Sequence, residues 1–133
     1  MHRMNEADDP STLAYTNLQP EQIVAALQDL GYQCDGRFLA LNSYENRVYQ
    51  IGIEDGPPVV AKFYRPGRWS DAQILEEHGF ALELADAELP VVAPLEHSGD
   101  TLLKSASFRF SVYDSFTVLK SILSSTFRLN LIS

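Results

Sequence analysis

Apolar side chains first recur at helical spacing, at Ile23, Leu27 and Leu30, with Pro20 where a first turn accepts proline and Gly31 where the helix should stop. This predicts a short amphipathic helix over 20–30. The pattern then shortens to strand-like runs at 38–41, 48–53 and 59–64. The first two are separated by Asn42-Ser43-Tyr44-Glu45-Asn46, and the second and third by Glu54-Asp55-Gly56-Pro57-Pro58. Three strands with short links read as an antiparallel meander. The first link lacks the glycine that a tight hairpin with positive φ usually needs, so it is built for something other than tightness.

Residues 65–69, Arg-Pro-Gly-Arg-Trp, break the sheet, and Ser70-Asp71-Ala72-Gln73 matches a capping box that opens a helix over 71–87. In that helix Ile74, Ala81 and Leu84 form an apolar stripe, flanked by Phe80 and Leu82. Pro90 and Pro94 bound a fourth strand near 91–95, His97-Ser98-Gly99-Asp100 turns the chain toward 101–103, and alternation of Phe108, Phe110 and Val112 predicts a fifth strand over 108–113. The polar residues 1–17 read as a mobile arm ahead of one α+β domain over 18–115.

Composition adds exclusions. A chain of 133 residues with 45% hydrophobic and 21% charged residues is ordinary for one globular core. Eighteen acids against ten Lys and Arg give a net charge of −8, which argues against nucleic-acid binding. The start has acidic residues where a signal peptide needs an apolar core, and no run approaches a membrane span, so neither export nor a membrane partner is expected. Cys34 is the single cysteine, which fits a reducing cytoplasm. Glu76, Glu77 and His78 are adjacent and splay over different helix faces, so they do not form the i, i+4 pair of a zinc helix.

Candidate chemistry begins at Lys62, which interrupts the strand Val59-Val60-Ala61-Lys62-Phe63-Tyr64. Alternation puts Val60, Lys62 and Tyr64 on one face and Val59, Ala61 and Phe63 on the other. Lys62 is either an edge-strand lysine that snorkels to water or a point charge reaching a phosphate from a cleft floor. Glu77 lies three residues after Ile74, four before Ala81 and seven before Leu84, on the apolar stripe. A carboxylate there needs a partner, since stranding one member of a buried pair costs roughly 3–5 kcal/mol. Lys62 is the expected partner, with Glu76 the second choice for the carboxylate; a solvated Glu77 is the alternative.

A polar turn, a Val-Ala-Lys strand and a helix carrying an inward glutamate reproduce, in this order, the small lobe of a protein-kinase-like fold. The segments LNSYENRVYQ, VVAKFYRPGRW, SDAQILEEHGFALEL and PVVAPLEHSGDTLL, within residues 16–114, closely resemble the bacterial stress response kinase A family, of the aminoglycoside phosphotransferase and choline kinase type. The resemblance implies a cytoplasmic, ATP-dependent and magnesium-requiring Ser/Thr protein kinase. By position it implies that Ser43, Tyr44, Glu45 and Asn46 form the ATP-phosphate turn, that Lys62 is the ATP lysine and that Glu77 holds it. Val48 and Val60 then roof the adenine, with Lys62 supplying charge. A non-catalytic protein-interaction module remains the alternative.

The sequence also departs from that family. The resemblance implies a His-Gly-Asp segment with an asparagine five residues beyond the aspartate, and a second metal-binding aspartate, all in a large C-terminal lobe that this chain lacks. His97-Ser98-Gly99-Asp100 has one residue too many, position 105 is serine, and the segment falls at a hairpin turn. From residue 116 onward the chain contains no acid. That tail is either a C-terminal helix built on Leu119, Ile122, Leu123 and Phe127 or out-of-frame sequence from a truncated product.

Overall fold

The structure, a computed structural model, describes residues 18–41 and 46–123. The arm over 1–17, the turn positions 42–45 and the last part of the tail, 124–133, lie outside the described residues. Helix α1 (Pro20–Asp29) precedes strands β1 (Cys34–Ala40), β2 (Arg47–Ile53) and β3 (Gly56–Phe63). Helix α2 (Asp71–Asp86), strands β4 (Leu103–Ser105) and β5 (Phe108–Asp114), and helix α3 (Ser115–Leu123) follow. The five strands form one antiparallel sheet in the order β1-β2-β3-β5-β4, which places β3 at its centre.

Local chemistry sets the boundaries. Pro20 occupies the first turn of α1, and its end is a Schellman arrangement: Tyr32 N–H donates to the Leu27 carbonyl at 3.2 Å and Gly31 N–H to that of Gln28 at 2.9 Å. Gly31 takes φ +102°, where a side chain is disfavoured. Helix α2 starts on the expected box, Gln73 N–H donating to Ser70 Oγ at 3.1 Å while Gln73 Oε1 accepts from Ser70 N–H at 2.9 Å.

Alternation along β3 divides the sheet into two faces. Val59, Ala61 and Phe63 join Tyr49, Ile51, Phe108, Phe110 and Val112 in a dry core, closed by Leu18, Ile23, Ala26 and Leu27. Phe63 stacks on Phe110 with ring centroids 5.0 Å apart. Val48 and Val60 lie on the opposite face with Val92, Tyr113 and Val118.

Several boundaries differ from the sequence reading, among them the start of β3, at Gly56 rather than 59. Residues 91–95 are not a strand: prolines at 90 and 94 remove two backbone donors, and Leu95 N–H reaches the Val112 carbonyl at 2.8 Å beside the sheet. The fourth strand is instead Leu103–Ser105, paired with β5. Strand β1 begins at Cys34 rather than 38, with an irregularity in its pairing with β2 between Cys34 and Phe38. Ser115–Leu123 is helical, with Val118 of α3 buried on the sheet.

Candidate functional site

Lys62 sits on the central strand, with Val48 of β2 and Ser111 of β5 as cross-strand neighbours, so the edge-strand explanation does not apply. The residue is 2% exposed. Its ammonium lies 5.2 Å from the centroid of the Tyr64 ring, a cation–π contact within one strand face. Burial pulls the Lys62 pKa below the ordinary lysine value, and the Glu77 carboxylate pulls it back up.

Helix α2 supplies the anion, in a different rotation from the one expected. Ile74 and His78 are the buried positions, and Glu77 is exposed. The expectation that Glu77 lies on a buried stripe is corrected: the inward stripe runs through His78, and Glu77 stands on the rim. Lys62, Glu77 and Glu76 nevertheless line one cleft of about 400 Å³, together with Asn46, Tyr64, Trp69, Gln73, Ile74 and Phe80. At the helix start, Arg109 Nη1 donates to Asp71 Oδ1 at 2.8 Å and Lys104 Nζ to Asp71 Oδ2 at 3.0 Å, tying α2 to β4 and β5. Arg109, then Lys104, holds the Asp71 carboxyl below the usual carboxylate range.

Beneath Lys62 runs a buried polar chain. His78 Nε2 lies 2.8 Å from the Tyr64 hydroxyl, and His78 Nδ1 lies 2.8 Å from Thr101 Oγ1. The Tyr64 hydroxyl is 3.0 Å from Ser111 Oγ, which donates to the Tyr113 hydroxyl at 3.1 Å. Burial, aided by the nearby Lys62 charge, pushes His78 down to about 4, so its ring is neutral at pH 7. Burial likewise raises Tyr64 and Tyr113.

The other site candidates divide. Asn46 is buried and lines the cleft, whereas Ser43, Tyr44 and Glu45 lie outside the described residues. Val48 and Val60 are not on the cleft lining; Val92, Tyr113 and Val118 cover them, with Leu41 packed alongside. Magnesium calls for several oxygen ligands. Among the described residues no group of three or more His, Cys, Asp or Glu could hold a metal, and the cleft is lined by two carboxylates, Glu76 and Glu77. These residues do not fit a magnesium site.

Residues 37–117, more than half of the chain, match the phosphotransferase enzyme family APH. The chain belongs to this family. Within curated relatives, stress response kinase A of Escherichia coli strain K12 is 49% identical over 105 residues, which cover 79% of this chain and 32% of that protein. Serine/threonine protein kinase RdoA of Salmonella typhimurium strain LT2 is 48% identical with the same coverage. The chain therefore spans about a third of the length of these relatives. A solved amicoumacin kinase, hAmiN, bound to AMP-PNP, Ca2+ and Ami, superposes with a TM-score of 0.61 at 23% identity, over 77% of this chain and 33% of that one. It shares the protein-kinase-like fold. Among the described residues no helix is long and apolar enough to cross a membrane.

Sequence reasoning missed the polar chain of His78, Tyr64, Ser111 and Tyr113. Its signal was present: alternation put Tyr64 on the Lys62 face and Ser111 and Tyr113 opposite Phe110 and Val112. Four residues after Ile74, His78 also falls on the inward helix face.

Proposed function

We propose that this chain is the nucleotide-phosphate-binding part of an ATP-dependent phosphotransferase, with Lys62 as the phosphate-binding cation and Glu77 as the carboxylate that keeps it charged. The observation that carries this is a lysine 2% exposed on the central strand of a sheet, lining an open cleft. A buried ammonium is costly, and a cleft that admits an anion gives it a purpose. In this reading Asn46, on the cleft lining, and the turn residues Ser43, Tyr44 and Glu45 are the proposed donors to the phosphates. Nucleotide is the partner this chemistry selects.

The whole protein is proposed to be a cytoplasmic Ser/Thr protein kinase acting in a stress response, in line with the names of its relatives. This polypeptide alone is proposed to bind ATP without transferring phosphate, since positioning and charge stabilisation carry such catalysis and the His-Gly-Asp segment is not in its sequence. Val118 covers the apolar face assigned to adenine, so binding is led by the phosphates. Calorimetric titration of residues 1–133 with ATP tests the reading. Lys62→Met should weaken binding by about 10–100-fold, the worth of a charge-assisted contact. Equal affinity in both proteins overturns it. Exposed Leu75 and Phe80 on α2 favour a second reading, a protein-interaction face. In that case Leu75→Ser, off the cleft lining, rather than Lys62→Met, removes function.

A further inference from the structure

We infer that His78 is a positioning residue for Lys62 and Glu77: its ring, held between Tyr64 and Thr101, sets the rotation of α2 that places Glu77 on the wall of the cleft that Lys62 also lines. The inference rests on reading that pair as the phosphate-binding element, and it adds the residue that holds the pair in place.

Consecutive helix residues point about 100° apart, so the direction of one fixes that of the next. His78 is 2% exposed and bonded at both ring nitrogens, to Tyr64 just beyond β3 and to Thr101 ahead of β4. Two bonds on opposite ring edges specify an orientation that an apolar side chain of equal size leaves free. Glu77, one residue earlier, is exposed. The same His78 bond steadies Tyr64, whose ring carries the Lys62 ammonium. One side chain therefore positions both partners of the pair.

Proton order makes the anchor directional. Ser111 has one hydroxyl hydrogen, and it is donated to Tyr113. Tyr64 must then donate to Ser111, which leaves its oxygen to accept from His78 Nε2–H, while Nδ1 accepts from Thr101. Glutamine carries an amide NH2 donor group and a carbonyl acceptor and can serve both partners; phenylalanine serves neither.

The test is the titration of Lys62 in the full 133-residue chain labelled with 13Cε-lysine, followed by NMR above pH 7, where His78 is neutral and contributes no charge of its own. Glu77→Gln should raise the Lys62 proton-dissociation constant by about threefold or more, the effect of removing a nearby anion. His78→Phe should do the same, the double variant should move it no further than Glu77→Gln alone, and His78→Gln should restore the wild-type midpoint. If Glu77→Gln shifts Lys62 and His78→Phe does not, or if the two effects add, the positioning role is wrong and the pair stands. If Glu77→Gln leaves Lys62 unmoved, the pair itself falls, and the positioning role with it. Should His78→Phe fail to fold, Thr101→Val removes one of the two anchors, and an unchanged Lys62 midpoint in that variant overturns the inference.

Discussion

The two faces of the sheet are built from alternate residues of the same strands, yet they obey different rules. On one face Val59, Ala61 and Phe63 meet other apolar side chains and the inner stripe of α1, and each contact is explained by burial alone. On the other, two residues of β3 away from Val60, a lysine is buried beside a histidine, two tyrosines and a serine. A fold seeking only stability has no need of these groups, since apolar replacements of a buried charged pair are often neutral or stabilising. The proposed phosphate-binding role accounts for this difference.

The largest expected effect sits on the dry face. Phe63→Ala should cost about 3–5 kcal/mol in urea unfolding, because it deletes a ring stacked on Phe110 and edge-on to Tyr49 and Phe108. A loss below about 1 kcal/mol would mean that the face is not the close-packed core described. The polar face should instead respond to pH. His78 titrates near 4 in the folded protein against 6.5 unfolded, so the unfolded chain binds more protons between those values. Its contribution is full above pH 6.5 and is lost as pH falls toward 4, by up to about 3 kcal/mol. Chemical denaturation across that window checks the sign, and His78→Gln should flatten this part of the profile.

A smaller effect, of opposite direction, is expected at Lys62. Lys62→Met removes a desolvated charge while keeping the length of the side chain, so stability should hold or rise by about 1 kcal/mol even as nucleotide affinity falls. A clear loss of stability would make Lys62 a structural group and erase the contrast between the faces. Smallest is the control away from both: Ser70→Ala should cost about 1 kcal/mol by removing the cap of α2. Thermal unfolding measures it.

Much of the fold was legible because it rests on local rules. The capping box at Ser70, Pro20 and Gly31 around α1, and the alternation along β3 and β5 are one-dimensional signals that the structure realises. The family resemblance also stands, on residues 37–117. What was not legible depends on partners distant in sequence. Residues 91–95 have strand-like composition, but their prolines leave too few donors for a ladder. The inward rotation of α2 is decided by His78 finding Tyr64 14 positions before it and Thr101 23 after. A hydrophobicity count ranks that histidine below Ala81, and so it assigned the inward place to Glu77. Lys62 was readable as unusual, but only the strand order, with β3 at the centre, removes the edge-strand explanation.

The central claim is that the buried lysine of the polar face meets phosphate. The chain's lysines are Lys62, Lys104 and Lys120, and in 13Cε-lysine spectra the Lys62 signal is identified by its absence from Lys62→Met. Added ATP should shift that signal, and inorganic tripolyphosphate should shift it in the same direction at concentrations within about tenfold, because the base adds little while Val118 covers its face. Lys104, already paired with Asp71, and Lys120 should stay in place. A Lys62 signal that neither compound moves at millimolar concentration would contradict the account.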